Sequence, residues 1–478
     1  MIINLMVSKQ CRFYFLLQNL VNLNILWLES SKDLIEIPDL SKATNLYRVY
    51  LFQCESLGQL HPSIFSLPDL RYLDLRGCKK IESLKTNIHS KSLRELLLDG
   101  CSSLTEFSVT SDAMTELALG GSAIRELSSS IWRNRKLTSL GLSECNKLYI
   151  VGNKLTNDHG LGSVTELDLS GCTEINALSL WSILDGIQSL KRLKLNECVN
   201  LGQLPENIRN HSMLEWLEFD DCRKLVSLTE LPPSLLYLKA VNCTYLDTDS
   251  IKWSMLMNRA HKLWEVPFTE DEGVTDAFSF LPGAQVPLYF DFRTIRASIT
   301  ILPIPKSDLL GFVFCILFSE GFTVNHHALH CIIFECGKEV DRLRISLDYL
   351  RTLISDHVLI RWHGYNRQEN GSYDTCNLSF QFILQGPNEE LEWSTEGIKG
   401  CGVGPVYEND SSISKKIGKL KSIAQDSDVS REIGGDGRSS NNENEDDKEQ
   451  PSDSKPPIKH VYVRRRSKVV RPHLVGRD

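Results

Sequence analysis

Cysteine is the residue type whose number and spacing most invite a chemical interpretation in this chain. The 478 residues include 14 cysteines. A small, weakly polar side chain of this kind can lie buried and hydrogen-bond the backbone of a turn. Neighbouring thiols in a stack would lie near disulfide distance and would risk cross-linking under oxidising conditions, so the pattern favours a reducing compartment. Because the sequence has no close Cys-x-x-Cys pair, we expect no metal site at these cysteines. Eight of the cysteines recur at one position of a repeated pattern: Cys54, Cys78, Cys101, Cys145, Cys172, Cys198, Cys222 and Cys243.

A second group of histidine and cysteine side chains could in principle ligate a metal. Successive residues of a strand point to opposite faces, so His326, His330 and Cys336 would share one face and His327 and Cys331 the other. Zinc needs its ligands to converge on one point. We therefore interpret this segment as a structural strand and expect no metal.

Catalysis has no support in the sequence. Ser355, Asp356 and His357 are adjacent in the chain and do not form the pattern of a catalytic triad, and no Gly-x-Ser-x-Gly turn is present. No glycine-rich loop ends in Gly-Lys-Ser/Thr, so nucleotide phosphates have no recognisable cradle. We expect neither enzyme activity nor a cofactor.

A leucine ladder is the element that would position all other groups. In the stretch 190–205, LKRLKLNECVNLGQLP, Leu190, Leu193 and Leu195 are followed by Cys198 and Leu201. Spacings of 21 to 27 residues between successive copies lie in the leucine-rich-repeat range and predict a solenoid with a parallel sheet on its concave face. The ten predicted copies start at Leu23, Leu46, Leu70, Leu93, Met114, Leu137, Val164, Leu190, Leu214 and Leu235.

The concave face is where a partner would bind. Residues between the inward leucines face solvent, and aromatic and arginine side chains are the usual interface anchors. The middle repeats carry small residues such as Ser139 and Gly141. The candidate contacts are Trp27, Arg48, Tyr50, Phe52, Arg71, Tyr72, Arg76 and Arg94 in early repeats, and Lys191, Arg192, Lys194, Glu215, Trp216, Glu218, Asp220, Asp221 and Tyr237 in late ones.

Net charge and the distribution of apolar residues indicate which partners and which cellular compartment to expect. A net charge of -8 gives no reason to expect nucleic acid or an anionic membrane. The N-terminus lacks the features of a signal peptide, and the longest apolar run, 309–318, is too short to span a bilayer. We expect a cytoplasmic protein. Arg464, Arg465, Arg466 and Lys468 leave a nuclear signal open beside a solvated basic tail.

The segments divide into four units. Residues 1–18 fit no repeat and are assigned to an irregular N-terminal segment, and 19–256 form the solenoid. Short apolar or alternating runs separated by polar turns predict an all-β sandwich over 257–408. Residues 409–478 have the polar and acidic composition of a disordered, charged tail. The expected fold is an α/β leucine-rich-repeat solenoid of about ten repeats, an all-β sandwich and this tail.

Specific strings give a family resemblance. KDLIEIPDLSKATNL, LRELLLDGCSSL and LPPSLLYLKAVNC resemble repeats of plant immune receptors of the TIR, nucleotide-binding and leucine-rich-repeat class. The sandwich is similar to their post-repeat jelly-roll/Ig-like domain, with Tyr289 where the family usually has tryptophan, and no TIR or nucleotide-binding sequence is present. The positions that carry this second match are Pro282, Gly283, Pro287, Tyr289, Phe290, Cys401, Gly402 and Tyr407.

The resemblance implies a function in plant defence. It implies a non-enzymatic protein-recognition module that senses a pathogen effector or an effector-modified, guarded host protein. The alternative is a truncated receptor that acts as adaptor, decoy or regulator by associating with full-length immune receptors. Self-association or co-purification with a complete receptor would favour the alternative.

Overall fold

The computed structural model describes most of the repeat region and the strands that follow it. The residues described are 2–4, 17–149, 162–228, 230–248, 278–301, 304–305, 309–323, 328–347, 350–364, 377–386 and 393–407. The predicted boundary at 256 and 257, and the tail 409–478 with its basic cluster, lie outside them.

Short parallel strands, each from a successive turn of the chain, form one side of the repeat region. Neighbours along the chain are also neighbours in the sheet. The strands are β1 (Ile2–Asn4), β2 (Ile25–Trp27), β3 (Arg48–Tyr50), β4 (Tyr72–Asp74), β5 (Glu95–Leu97), β6 (Glu116–Ala118), β7 (Ser139–Gly141), β8 (Glu166–Asp168), β9 (Arg192–Lys194), β10 (Trp216–Glu218) and β11 (Tyr237–Lys239).

The leucine ladder explains this register. Each predicted repeat start lies two residues before one of the strands β2 to β11. Leu193 pairs with Leu167 on one side and Leu217 on the other, and its side chain is fully buried. Because each strand is short and one-sided, a repeat buries its leucines only against its neighbours. The fold is therefore that of a leucine-rich-repeat protein.

Strand β1 differs from the sequence-based assignment. Ile2, Ile3 and Asn4 pair in parallel with Ile25–Trp27, although residues 1–18 were assigned to an irregular segment. Pairing uses backbone N–H and C=O groups, which any residue supplies, and β2 offers an edge that needs partners. The leucine spacing carries no signal for such a strand.

The recurring cysteines form a hydrogen-bonded ladder inside the repeat region. Each thiol is buried and donates to the carbonyl at the end of the preceding strand, as Cys172 does to Leu142 O at 3.1 Å and Cys243 to Phe219 O at 2.9 Å. Ser122 occupies the same position and contacts Cys145 Sγ. The slot therefore selects a small donor rather than a reactive thiol.

The residue before each ladder position turns the chain out of the strand. Its φ is positive in every repeat, whether it is glycine, as at Gly77 (φ 73), or not, as at Glu197 (φ 59). Glycine, aspartate and asparagine tolerate this left-handed conformation best. Two acidic residues discussed below, Glu197 and Asp221, occupy this turn position.

The return segments contain less α-helix than an α/β solenoid would have. Within the described residues they hold one α-helix, α1 (Ala177–Asp185), which Asn176 caps through the backbone N–H groups of Leu178 and Ser179. It lies in the 26-residue repeat from Val164 to Leu190, whereas shorter repeats leave too few residues for such a helix. The other returns use 3₁₀ helices at Leu17–Asn22, Pro62–Ser66, Ile131–Arg133 and Glu206–Asn210, and paired strands at Glu36–Ile37 with Gln59–Leu60, Ser83–Leu84 with Glu106–Phe107, and His89–Ser90 with Thr110–Ser111.

The strands after the repeats form two further layers of mainly antiparallel sheet. They are β12 (Phe278–Pro282), β13 (Phe292–Thr294), β14 (Ser298–Ile301), β15 (Leu309–Phe318), β16 (Ala328–Glu335), β17 (Lys338–Ser346), β18 (His357–Gly364), β19 (Leu378–Gln385), β20 (Trp393–Ser394) and β21 (Ile398–Tyr407). One sheet has the order β14-β19-β16-β17, with β20 on β19. The two layers share a core in which Phe312 and Phe314 of β15 contact Phe380 of β19.

The other post-repeat layer continues the repeat sheet without a break. Strand β12 pairs in parallel with β11, Tyr237 opposite Phe278, and in antiparallel fashion with β18. The order then runs β18-β15-β21-β13, giving a sheet of 16 strands. Within the described residues, no helix has both the length and the apolar character needed to cross a membrane.

Candidate protein-recognition surface

The solvent-facing side of the parallel sheet, here named the strand face, carries the predicted contact residues. In strands β2 to β11 the middle residue is buried and the first residue is directed outward, as Leu26 and Ile25 are in β2, where Trp27 also faces outward. The outward positions of neighbouring strands lie about 4.8 Å apart. Side chains on successive repeats can therefore stack into rows.

Aromatic and arginine side chains meet at the start of the strand face, in the N-terminal patch of Trp27, Arg48, Tyr50, Phe52, Tyr72 and Arg76. Trp27 stacks on Tyr50 at 4.5 Å between ring centroids, and Tyr50 lies 5.0 Å from Tyr72. Arg48 donates to the Tyr50 hydroxyl at 3.2 Å. The sequence prediction placed these residues together, and the structure does so.

Arg76 is fixed before any partner arrives. Its Nε and Nη2 donate to the two carboxylate oxygens of Asp74 at 3.0 and 2.7 Å, and its guanidinium lies 5.2 Å from the ring centre of Phe52. These hydrogen bonds raise the pKa of Arg76. Arg71 and Arg94 are exposed beside the patch. The patch therefore presents pre-oriented rings and cations, as interface anchors require.

A second aromatic row, the C-terminal patch of Arg192, Trp216, Tyr237 and Phe278, crosses from the repeats to the strand that follows. Trp216 and Tyr237 are stacked at 3.4 Å, and Tyr237 lies 5.1 Å from Phe278. Arg192 sits over Trp216 at 5.9 Å and pairs with Glu166 at 3.1 Å. Burial raises the pKa of Tyr237. Phe278 is not among the contact residues predicted from the sequence, because its neighbours in space lie about forty residues earlier in the chain.

Four further predicted late-repeat contacts lie in strands β9 and β10 or directly before them. Lys191, Lys194 and Glu215 are exposed. Glu218 is half-buried and accepts a hydrogen bond from Asn196 Nδ2 at 3.1 Å. These four side chains surround the C-terminal patch with charge of both signs.

Asp220 does not face solvent, contrary to the sequence prediction. It is 5% exposed and pairs at 2.7 Å with Lys239, which is also buried. Burial raises the pKa of Asp220, opposed by Lys239, and its Oδ1 accepts from the backbone N–H of Val241 at 2.8 Å. Both residues belong to the last repeats, beside the post-repeat strand β12, so this buried pair links two neighbouring repeats.

Asp221 is also buried. It occupies the left-handed turn position and so leaves the strand face. Arg351, from the post-repeat unit, donates to Asp221 Oδ2 at 3.1 Å and pairs with Glu197 at 2.7 Å. The hydrogen bond to Glu197 raises the pKa of Arg351. The two turn carboxylates therefore bind an arginine of the same chain.

His357 lies at the junction between the repeat region and the post-repeat strands, here named the join, a position that the sequence analysis did not predict. It is fully buried; its Nε2 accepts from the backbone N–H of Asn242 at 3.0 Å, and its Nδ1 contacts Ser355 O at 2.7 Å. A backbone N–H only donates and a carbonyl only accepts, so the ring is neutral with its proton on Nδ1. Burial lowers the pKa of His357. Asn242 also bonds Thr352 O and Ile354 N through its side chain.

The residues of the post-repeat motif come together, and most are structural. Adding a Cβ to Gly402 would bring it within 2.7 Å of Val286 and 3.1 Å of Phe290, so the closing strand packs directly on the opening motif. The N–H of Phe290 bonds Pro287 O at 3.1 Å, and that of Gly283 bonds Asp356 O at 2.9 Å. Among the motif positions, Pro282, Phe290, Cys401, Gly402 and Tyr407 are buried, Gly283 and Pro287 are half-buried, and Tyr289 is exposed.

The histidine and cysteine segment does not converge in space. His330 and Cys331 lie in β16; His330 is buried and its Nε2 lies 2.9 Å from Gln385 Oε1. Cys336 is exposed in the turn that follows, and His326 and His327 lie outside the described residues. Among the residues that the structure describes, no three histidine, cysteine or acidic side chains are grouped to hold a metal.

Solved structures similar to this chain include leucine-rich-repeat proteins. No family model matches the chain. Among solved structures, the leucine-rich repeat domain of the type III effector XopL is 22% identical with a TM-score of 0.31, covering 43% of this chain and 72% of that one. A leucine-rich repeat protein of Leptospira interrogans is 19% identical with a TM-score of 0.26, covering 51% of this chain and 76% of that one.

Curated relatives come from Arabidopsis thaliana. The Protein SUPPRESSOR OF npr1-1, CONSTITUTIVE 1 is 33% identical over 323 residues, 61% of this chain and 22% of the relative. Disease resistance protein RPP4 is 35% identical over 213 residues, covering 44% and 18%. Disease resistance protein RPP5 is 28% identical over 478 aligned residues, covering 85% and 31%. The chain therefore spans less than a third of the length of these relatives.

These matches confirm the resemblance of the chain to plant disease resistance proteins. They extend over both parts of the chain, since the match to RPP5 covers 85% of it. The chain is a homologue of plant disease resistance proteins and carries their leucine-rich repeats.

Proposed function

We propose that this chain is the non-enzymatic protein-recognition module of a plant intracellular immune receptor. Its partner would be a pathogen effector or a host protein that an effector has modified. The observation that carries the proposal is the strand face, where fixed aromatic and arginine side chains form two patches at solvent-facing positions. Its homologues are disease resistance proteins, which supports a role in defence.

Both parts of the chain contribute to the proposed surface. We assign residues 19–256 to the solenoid of about ten repeats and 257–408 to a jelly-roll/Ig-like sandwich. Two packed sheets with a shared aromatic core support the second assignment. Phe278 of β12 extends the row of Trp216 and Tyr237, so the C-terminal patch includes a residue from each part. We propose a cytoplasmic location for this module.

A structural role for the polar residues at the join supports the non-enzymatic proposal. Both ring nitrogens of His357 contact backbone groups, which leaves neither to act as a general base for Ser355. Burial raises the pKa of Cys54 to about 11 and of Cys101 to about 12, which suppresses the thiolate that a cysteine nucleophile needs.

The test compares the effect on binding of substituting aromatic residues on the strand face with the effect of substituting a tryptophan of similar exposure in a return segment. Trp27 is 37% exposed in the N-terminal patch, and Trp181 is 43% exposed on α1. The affinity of the purified chain for each of a panel of pathogen effectors and their host targets is measured by biolayer interferometry. We expect Trp27→Ala with Tyr50→Ala to weaken binding at least about tenfold, because aromatic anchors dominate interfaces, and Trp181→Ala to leave it unchanged.

Two outcomes contradict the proposal. One is equal loss in the double variant and in Trp181→Ala. The other is the absence of micromolar binding to any effector or host target. Capture of a full-length immune receptor through the same surface would instead favour the alternative of an adaptor, decoy or regulator.

A further inference from the structure

A depression in the middle of the strand face separates the two patches. Its volume is about 260 Å³, and its lining includes Ala118, Ser139 and Gly141. This volume far exceeds the roughly 30 Å³ of a water molecule and falls below the roughly 300–1,000 Å³ of small-molecule pockets. The depression has the size for one long side chain of a partner protein.

Small residues create the depression, and carboxylates flank it. Glu116, Ser139 and Glu166 occupy equivalent positions on successive strands. The two glutamates are therefore two strand spacings apart, about 9.6 Å along the sheet, with only a serine side chain between them. Ala118 and Gly141 occupy the equivalent positions on the other side of the buried leucines. A side chain entering over Ser139 would pass between two carboxylates.

Carboxylates dominate the surroundings of Glu116, because the two cations that line the depression, Arg192 and Lys194, lie on β9, three strands away. Burial raises the pKa of Glu116, and the neighbouring carboxylates Glu95, Asp99 and Glu166 raise it further, whereas only Arg76 opposes them. Within the described part of the chain Glu116 has no hydrogen-bonding or ion-pair partner. Like charges held close together are stabilised by a cation placed among them. The depression therefore favours a cationic occupant at this wall.

The carboxylates select the shape of that cation. Trp216 lines the opposite wall, but its ring already has Arg192 on one side and Tyr237 stacked on the other, so its faces are not open to a partner. A guanidinium is planar and weakly hydrated, whereas an ammonium is compact and strongly hydrated. A guanidinium also presents several N–H donors in one plane, which suits carboxylates on more than one side.

We propose that the depression receives an arginine side chain of the partner protein, with its guanidinium between Glu116 and Glu166. This inference rests on the proposed recognition function and adds the chemistry of one contact to it. The partner is thereby required to present an exposed arginine between the surfaces that meet the N-terminal and C-terminal patches.

The test uses N-acetyl-arginine amide as the probe and N-acetyl-citrulline amide as its neutral isostere. The full chain is labelled with 5-fluorotryptophan, and the ¹⁹F resonance of Trp216 is assigned from its loss in Trp216→Phe. We expect a saturable shift of this resonance with the arginine probe and not with citrulline. Glu116→Gln should weaken binding about fivefold or more, as expected for loss of an ion pair that is partly shielded from water.

Two further variants test whether the arginine probe binds in the depression or responds only to the overall charge of the protein. Gly141→Leu fills the depression without changing charge, and a Cβ at Gly141 would meet Ala118 no closer than 3.6 Å, so the fold should tolerate it. We expect it to abolish the arginine shift. Glu174→Gln, a change at an exposed carboxylate outside the depression, should have no effect. Circular dichroism verifies that each variant is folded.

Equal binding of citrulline, or undiminished arginine binding in Glu116→Gln, would overturn the inference. Its failure differs from failure of the proposed function. If Trp27 and Tyr50 still control effector binding while the arginine probe does not bind, recognition stands and only the arginine contact is wrong.

Discussion

At the scale of single residues, the ladder thiols serve as hydrogen-bond donors and not as nucleophiles. Cys54 donates to Leu28 O at 3.0 Å and Cys101 to Leu75 O at 3.2 Å, and both are buried. Burial raises the pKa of each thiol above its ordinary value, to about 11 for Cys54. Since the thiolate is the reactive form, modification should require unfolding. Cys336, in contrast, is exposed in a turn.

Brief maleimide treatment at pH 7 should therefore label Cys336 alone among the described cysteines. The experiment uses the Cys11→Ser, Cys376→Ser chain, which removes the two thiols outside the described residues. We expect intact mass to show one adduct, lost in Cys336→Ser, and many adducts in denaturant. Rapid labelling of ladder thiols in the folded chain would show that the register assigned to them is wrong.

At the scale of elements, each strand is stable only when its middle residue is buried between two neighbours. Leu193 is fully buried, whereas Lys194, the next residue of the same strand, is exposed. Leu193→Asp would place an unpaired carboxylate in the repeat core, at a cost of several kcal/mol. We expect a fall of roughly 10 °C or more in the thermal midpoint.

Lys194→Asp is the matched control, since it introduces the same side chain one position away. Its midpoint should stay close to that of the parent, because exposed substitutions usually change stability by about 0.5 kcal/mol or less. Differential scanning calorimetry measures both. Equal midpoints for Leu193→Asp and the parent would contradict the inward orientation of Leu193.

Local periodicity explains which elements could be predicted from the sequence. Strands β2 to β11 follow the leucine spacing, and the rows of Trp27 with Tyr50 and of Trp216 with Tyr237 follow from it. The burial of Asp220 depends instead on post-repeat strands that cover the last repeats. Within the described residues the returns hold one α-helix and several 3₁₀ helices, because most repeats are too short for an α-helix.

At the scale of the whole repeat and post-repeat unit, one sheet joins the two parts. Strand β12 pairs with β11 on one side and β18 on the other, so backbone hydrogen bonds cross the join. Arg351 adds ion pairs across the join to Asp221 and Glu197. A binding surface that uses both parts is then held in one geometry before a partner arrives, which reduces the entropy lost on binding.

His357 makes this join sensitive to pH. In the folded chain burial lowers its pKa below the ordinary value of about 6.5, and the ring accepts the N–H of Asn242 only when neutral. Above pH 6.5 the ring is neutral in both folded and unfolded chains, so it adds no pH dependence. As pH falls below 6.5 the unfolded chain takes up a proton that the folded chain resists. The free energy of unfolding therefore decreases through the window between 6.5 and the lowered folded pKa.

We expect the parent chain to lose stability between pH 6.5 and 5.5 more steeply than His357→Gln, which cannot titrate. The difference in slope should approach, and not exceed, about 1.4 kcal/mol per pH unit, the limit for one proton. Urea unfolding at closely spaced pH values measures both slopes. His211, whose pKa burial also lowers, is present in both chains and cancels in the comparison. Parallel slopes would mean that the ring already binds its proton in the folded chain, and the hydrogen bond from Asn242 could not then hold the join.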